Sequence, residues 1–317
     1  MRVFPFKKVF LLAKTIANRI NLKSFCAIAA ISIGGVAIPV DLARSNFPWP
    51  RDCPYCNFQG ANLRGIDSRG TSLNWQGADL DNADLSQANL QGINLTDANL
   101  SHVRLVGTNL QNANLTGANL TEAVLHGTIL KGANFSNAIL TGASLLAVSA
   151  EAGQFQNSDL SESRWQNVYL GGANLQEVNL VRASLQNVDL VAANLIEVDL
   201  TEANFRGVKL RNANLSGANL SYADLSGTSL VETDLSGSLL QETNLAAADL
   251  TLANLTRADL QRSNLENANL DRAILRDANL IGVNLQRAYL LDTDLCGVII
   301  SEEGEIHKLD GAMLNCE

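Results

Sequence analysis

The dominant pattern along the chain is a period of five. From Leu80 to Leu295 every fifth residue is Leu at 39 of 44 positions, and Phe135, Phe155, Phe205, Trp165 and Ala150 fill the rest. Two residues before each central position lies a second register of small residues, Ala at 24 positions and otherwise Val, Thr, Ser, Ile or Gly. Asn or Asp stands between the two at 29 positions. The two residues after the Leu vary, with Gly frequent at the second, so the unit reads A-(N/D)-L-x-x. An earlier stretch follows the same rule in another phase at Phe58, Leu63 and Leu73, is broken at Ser68, and gives way to a frame shift of two residues near Trp75.

A period of five suits neither regular helix nor flat strand. Five helical residues leave a register that drifts by about 140° per repeat, so the Leu residues would wind around every face. In a strand an odd period sends successive Leu residues to opposite sides. A chain that turns a right angle after each unit solves both problems, because four units close a square coil with every Leu and every small residue aimed at the axis. Stacked coils then pair their backbones at ~4.8 Å, as neighbouring strands do. The small register falls near a corner, and Asn or Asp beside it bonds local backbone at the turn.

The units Ala61-Asn62-Leu63-Arg64-Gly65, Ala113-Asn114-Leu115-Thr116-Gly117, Ala118-Asn119-Leu120-Thr121-Glu122 and Ala218-Asn219-Leu220-Ser221-Tyr222 resemble those of the pentapeptide-repeat family. The resemblance covers residues 58–297. It implies an all-β fold, a right-handed quadrilateral β-helix of about 12 coils, or roughly 50–60 Å of stacked chain. It implies no single activity, since similar proteins include cytoplasmic DNA mimics that bind type II topoisomerases and exported cyanobacterial proteins of the periplasm or thylakoid lumen.

Charge divides the chain. Residues 1–40 carry six basic groups and no acid, whereas residues 41–317 carry a net −15. The apolar run Phe25–Val40 has the length of a signal-peptide core and is short for a membrane-spanning helix. Residues 1–40 are therefore expected to be an export signal cleaved near Ala37 or an uncleaved anchor, with a buried or interfacial helix as the alternative. Membrane contact is expected only there. Residues 41–57 read as a linker and N-terminal cap containing Cys53-Pro54-Tyr55-Cys56, which resembles the starts of exported family members. After Leu295 the register fails, so residues 298–317 are expected to fold over the last coil, with Ile306, Leu309, Met313 and Leu314 as the covering face and Cys316 near Cys296.

No arrangement of side chains in the sequence points to catalysis. His102, His126 and His307 are scattered, and no phosphate loop, nucleophile elbow or metal-ligand motif is present. The expectation is a protein that is no enzyme and needs no cofactor or metal. Cys53, Cys56, Cys296 and Cys316 are candidates for disulfides, with free thiols or redox chemistry as alternatives. Val181, Val191 and Ile196, exposed within one coil, form the candidate interaction surface, and charges twenty residues apart should stack in columns. The acidic balance argues against nucleic acid as a partner. A protein partner is expected instead, with a homodimer through one end of the helix as one form. The leading reading is an exported β-helical scaffold; the alternative is a cytoplasmic acidic mimic of DNA acting on a topoisomerase.

Overall fold

The computed structural model describes residues 53–68 and 73–300, and the backbone of residues 32–33 and 36–37. Ser32–Ile33 (β1) and Val36–Ala37 (β2) pair antiparallel, so these four residues of the apolar run are extended and not helical. The signal or anchor expected over 1–40, the linker before Cys53 and most of the expected C-terminal cap lie outside the described residues. No helix among those described is long and apolar enough to cross a membrane.

The repeat makes the chain bend every five residues by a local mechanism. Where the unit carries Asn or Asp, its Oδ1 accepts a backbone N–H two residues on, as in Thr96 to Asn94 at 3.1 Å and Ser216 to Asn214 at 3.0 Å. Three residues beyond each central Leu, the N–H returns to the Leu carbonyl, as in Ala83 to Leu80 at 2.9 Å. The second corner residue of these turns has φ between +53° and +73°. That is the geometry of a type II turn, which Gly and Asn adopt most easily.

Between corners the chain pairs in parallel with the coil before and after it. From Asn74 to Ile299 the partners are always twenty residues apart, so four units form one coil. The central residues fall into four columns, beginning at Leu80, Leu85, Leu90 and Leu95, here called the first to fourth faces. Every Leu from Leu80 to Leu275 in these columns is at most 1% exposed, and the buried side chains form one continuous cluster from Cys53 to Leu295.

The frame shift is visible in the ladder. Asn57, Asn62 and Asp67 pair with Asp79, Asp84 and Asn89, an offset of 22, whereas Asn74 pairs with Asn94, an offset of 20. The two extra residues therefore fall between Asp67 and Asn74. This corrects the register of Leu73, which precedes Asn74 and so occupies the small register in line with Ile93. Trp75, fully buried and 4.8 Å from the ring of Phe58, takes the central position in line with Leu95. Ser68 holds a central position in line with Leu90.

The second face differs over three coils. Ser144–Leu146 (β3), Arg164–Gln166 (β4) and Ser184–Gln186 (β5) form a parallel sheet centred on Leu145, Trp165 and Leu185. The corners that follow are wider, and Val148, Val168 and Val188, like Thr128 one coil earlier in the same column, do not make the turn bond. Trp165 fits because its indole N–H donates to the Ser163 hydroxyl, which donates to the Leu160 carbonyl. Phe155 fits because residue 153 is Gly. A Cβ there would lie 2.7 Å from the Phe155 ring, which stacks on Phe135 at 5.0 Å between centroids.

Candidate functional site

A core packed with Leu leaves function to the outside. No cluster of His, Cys, Asp and Glu among the described residues is suited to hold a metal. The second corner residue leans toward the following coil, and the Tyr55 ring covers Gly77 so closely that a Cβ there would meet it at 2.5 Å. The same lean brings charges twenty apart together. Arg182 Nε lies 2.8 Å from Glu202 Oε2, Arg262 lies 3.6 Å from Glu242, and Arg272 lies 4.0 Å from Asp292. The hydrogen bond to Glu202, then its charge, push the Arg182 pKa up. Arg257 and Asp277 stack in the same manner but form no ion pair, because the Asp277 carboxylate lies over Gly297. Such exposed pairs contribute about 0–1 kcal/mol each.

A second family of contacts, offset by 18, was not anticipated from the sequence. Arg276 pairs with Asp294 and Arg206 lies 3.7 Å from Asp224. Burial pushes the Asp294 carboxyl up, but the bonds from Arg276 and the Cys296 N–H outweigh it and hold it below the usual carboxylate range. The most connected acid is Asp81, at a corner between the first and second faces. It accepts bonds from His102, Ser101, Gln59 and Asn82, at 2.9, 2.9, 3.1 and 2.9 Å. His102 foremost, then Gln59, holds its carboxyl well below the usual range.

Cys53 and Cys56 are joined by a disulfide and are at most 1% exposed. Cys53 takes the central position before Phe58 and Cys56 the small position, so the bridge closes one corner turn inside the core. Cys296 is also disulfide-bonded, to a residue outside those described. Val181, Val191 and Ile196 are half-buried and lie at three different corners, so they share no face.

The Pentapeptide repeats profile matches in eight copies over residues 78–117, 118–147, 154–190, 193–230, 228–267 and 263–301. Among solved structures, the chain is 33% identical to HetL, a pentapeptide repeat protein involved in heterocyst differentiation regulation in Nostoc sp. strain PCC 7120. That match covers 82% of this chain and 94% of HetL, with a TM-score of 0.27. QnrB1, a plasmid-mediated fluoroquinolone resistance protein, matches at 18% identity over 63% of this chain and 90% of its own, with a TM-score of 0.36. A pentapeptide repeat protein of the Arabidopsis thaliana thylakoid lumen matches at 24% identity over 38% and 70%, with a TM-score of 0.19. No curated protein sequence matches significantly. A repeat profile that spans most of the chain, laid on a coil of four five-residue units, makes this protein a member of the pentapeptide repeat family.

Proposed function

We propose that the protein is a non-enzymatic scaffold, a right-handed β-helix of about 12 coils that works across a membrane from the cytoplasm, in the periplasm or thylakoid lumen, and binds a protein partner. The observation that carries this reading is the division of the molecule into a closed apolar core and a polar shell. Nothing in such a core can bind a small substrate, whereas four long rigid faces can present side chains at fixed spacing. The basic head with its apolar run supports export. So does the Cys53–Cys56 disulfide, because disulfides persist in oxidising compartments. Fractionation of the native protein with mass spectrometry of its N-terminus tests the reading. The expected result is a start between Ala37 and Ser45, or a membrane-bound full-length chain; soluble cytosolic protein beginning at Met1 overturns it.

The net −15 over residues 41–317 favours the second reading, a cytoplasmic mimic of DNA acting on a type II topoisomerase. Arg257, Arg262, Arg272, Arg276 and Arg287 gather toward one end and weaken the imitation. Inhibition of supercoiling by a purified type II topoisomerase, at concentrations near that of the enzyme, would establish this reading in place of the first.

A further inference from the structure

One coil of the acidic body is basic on one side. Arg206, Lys209 and Arg211 occupy the corner before the third face, the face itself and the corner after it. Arg206 pairs with Asp224 at 3.7 Å and Arg211 with Glu232 at 3.6 Å, both carboxylates lying one coil on and exposed or half-exposed. Lys209 forms no ion pair with any described residue. Residues 206–225 hold these three cations and one carboxylate, Asp224, whereas the coils before and after are net acidic.

The same corner carries a step in the backbone. The three wide corners end at 186–187, and the next is tight again, with the Val208 N–H bonded to the Phe205 carbonyl at 3.1 Å. Ala147 and Asn167 donate their N–H groups across the coils at 2.9 and 3.0 Å. Asn187 and Gly207, at the step, make no such bond. The mismatch opens a shallow polar groove lined by Gln186, Asn187, Asn204 and Arg206. A backbone N–H without an acceptor beside a guanidinium is a place for an anionic oxygen. One coil back in the column of Lys209 stands Asp189, whose Oδ1 accepts the Val191 N–H.

We propose that the side of this coil formed by Arg206, Lys209 and Arg211 docks a short acidic segment of a partner protein, laid along the coil. One carboxylate sits in the groove on the Asn187 N–H and Arg206, and further carboxylates meet Lys209 and Arg211. The proposal rests on the reading of the molecule as an interaction scaffold and supplies the chemistry of its partner. Nucleic acid fits poorly, since a phosphate backbone needs a longer track of cations than one coil offers.

The test uses the purified protein and a labelled, terminally blocked hexaglutamate peptide, followed by fluorescence anisotropy. Saturable binding that weakens with added salt is expected. The triple variant Arg206→Gln, Lys209→Gln, Arg211→Gln should bind at least about tenfold more weakly with an unchanged thermal midpoint. The control Arg257→Gln, Arg262→Gln should bind like the parent. The charge-reversed triple variant, with Glu at all three positions, should lose hexaglutamate and take up hexalysine. Absence of saturable binding, equal loss in the control, equal displacement by millimolar inorganic phosphate, or preference for an oligothymidylate of the same charge would each overturn the proposal. None of these outcomes bears on where the protein resides, which fractionation decides separately.

Discussion

At the residue scale, each position of the repeat answers to one physical demand. The central Leu must be dry. Leu215 is fully buried in the fourth-face column, so Leu215→Asp puts an unpaired carboxylate among apolar side chains and should destabilise by several kcal/mol, read as a lowered melting midpoint. Retained stability would mean that the column is not packed. Gly153 answers to two neighbours, the Phe155 ring and the Ala150 carbonyl oxygen, which a Cβ would meet at 2.7 and 2.9 Å. Gly153→Ala should cost about 1–3 kcal/mol by overpacking, and Phe155→Leu in the same chain should recover part of it, measured as a double-mutant cycle in urea. Additive losses would show that the two do not compete for space. The inward Leu and Ala registers were legible from the period alone, but this partnership was not, because the ring that takes the space of a missing side chain depends on rotamers across the core. Asp81 carries a prediction about acid. Its folded carboxyl is held below the value near 3.9 expected of an unfolded chain. Its contribution is therefore complete above about pH 4 and is lost as pH falls from there toward its lower folded value. Asp81→Asn should be less stable than the parent at pH 6 and differ less from it at pH 2; an equal difference at both pH values would contradict the assignment.

At the element scale, the corner is the unit that matters, and the ends of the solenoid are where single corners count most. An end coil has a neighbour on one side only, so the Cys53–Cys56 bridge, closing the corner before Phe58, stabilises a part of the molecule that is otherwise the first to fray. In the chain-entropy account a four-residue closure contributes about 2 kcal/mol. The double replacement Cys53→Ala, Cys56→Ala should therefore raise amide exchange in residues 58–68 while leaving residues 100–270 as protected as before. Uniform loss of protection would show that the bridge governs the whole solenoid. The sequence located the two-residue insertion near Trp75 but misplaced Leu73. A single Leu next to an insertion satisfies the central and the small register equally well, and only the ladder from Asn74 to Asn94 decides between them. The wide corners at 146–147, 166–167 and 186–187 were not legible in the side-chain pattern. Val148, Val168 and Val188 lack the turn bond that Val178, Val198 and Val208 make, so the difference is a backbone choice that side-chain periodicity does not report. Corner lean was equally hidden, which is why contacts offset by twenty were expected and those offset by 18 were not.

At the scale of the whole molecule, contacts run only between neighbouring coils, and every coil presents nearly the same surface to the next. Stability is then close to a sum over coils and the interfaces between them, with no contact that depends on total length. The twenty-residue offset makes this testable by removing one full coil. Deleting residues 236–255 joins Leu235 to Thr256, which follows Leu255 in the intact chain, so every later Leu and Asn keeps its face and column. The ion pair of Glu242 with Arg262 is lost, worth little at an exposed site. The shortened protein should fold, keep the circular dichroism per residue of the parent and melt within about 5 °C of it, since one interface among many has gone. It should also bind hexaglutamate as the parent does, because the deletion begins beyond Asp224 and Glu232 and leaves the coils around Arg206, Lys209 and Arg211 as they were. A deletion variant that fails to fold would show that particular coils are matched to one another in ways the columns do not express. A variant that folds but loses the peptide would place the acidic partner's contacts further along the third face than Arg211.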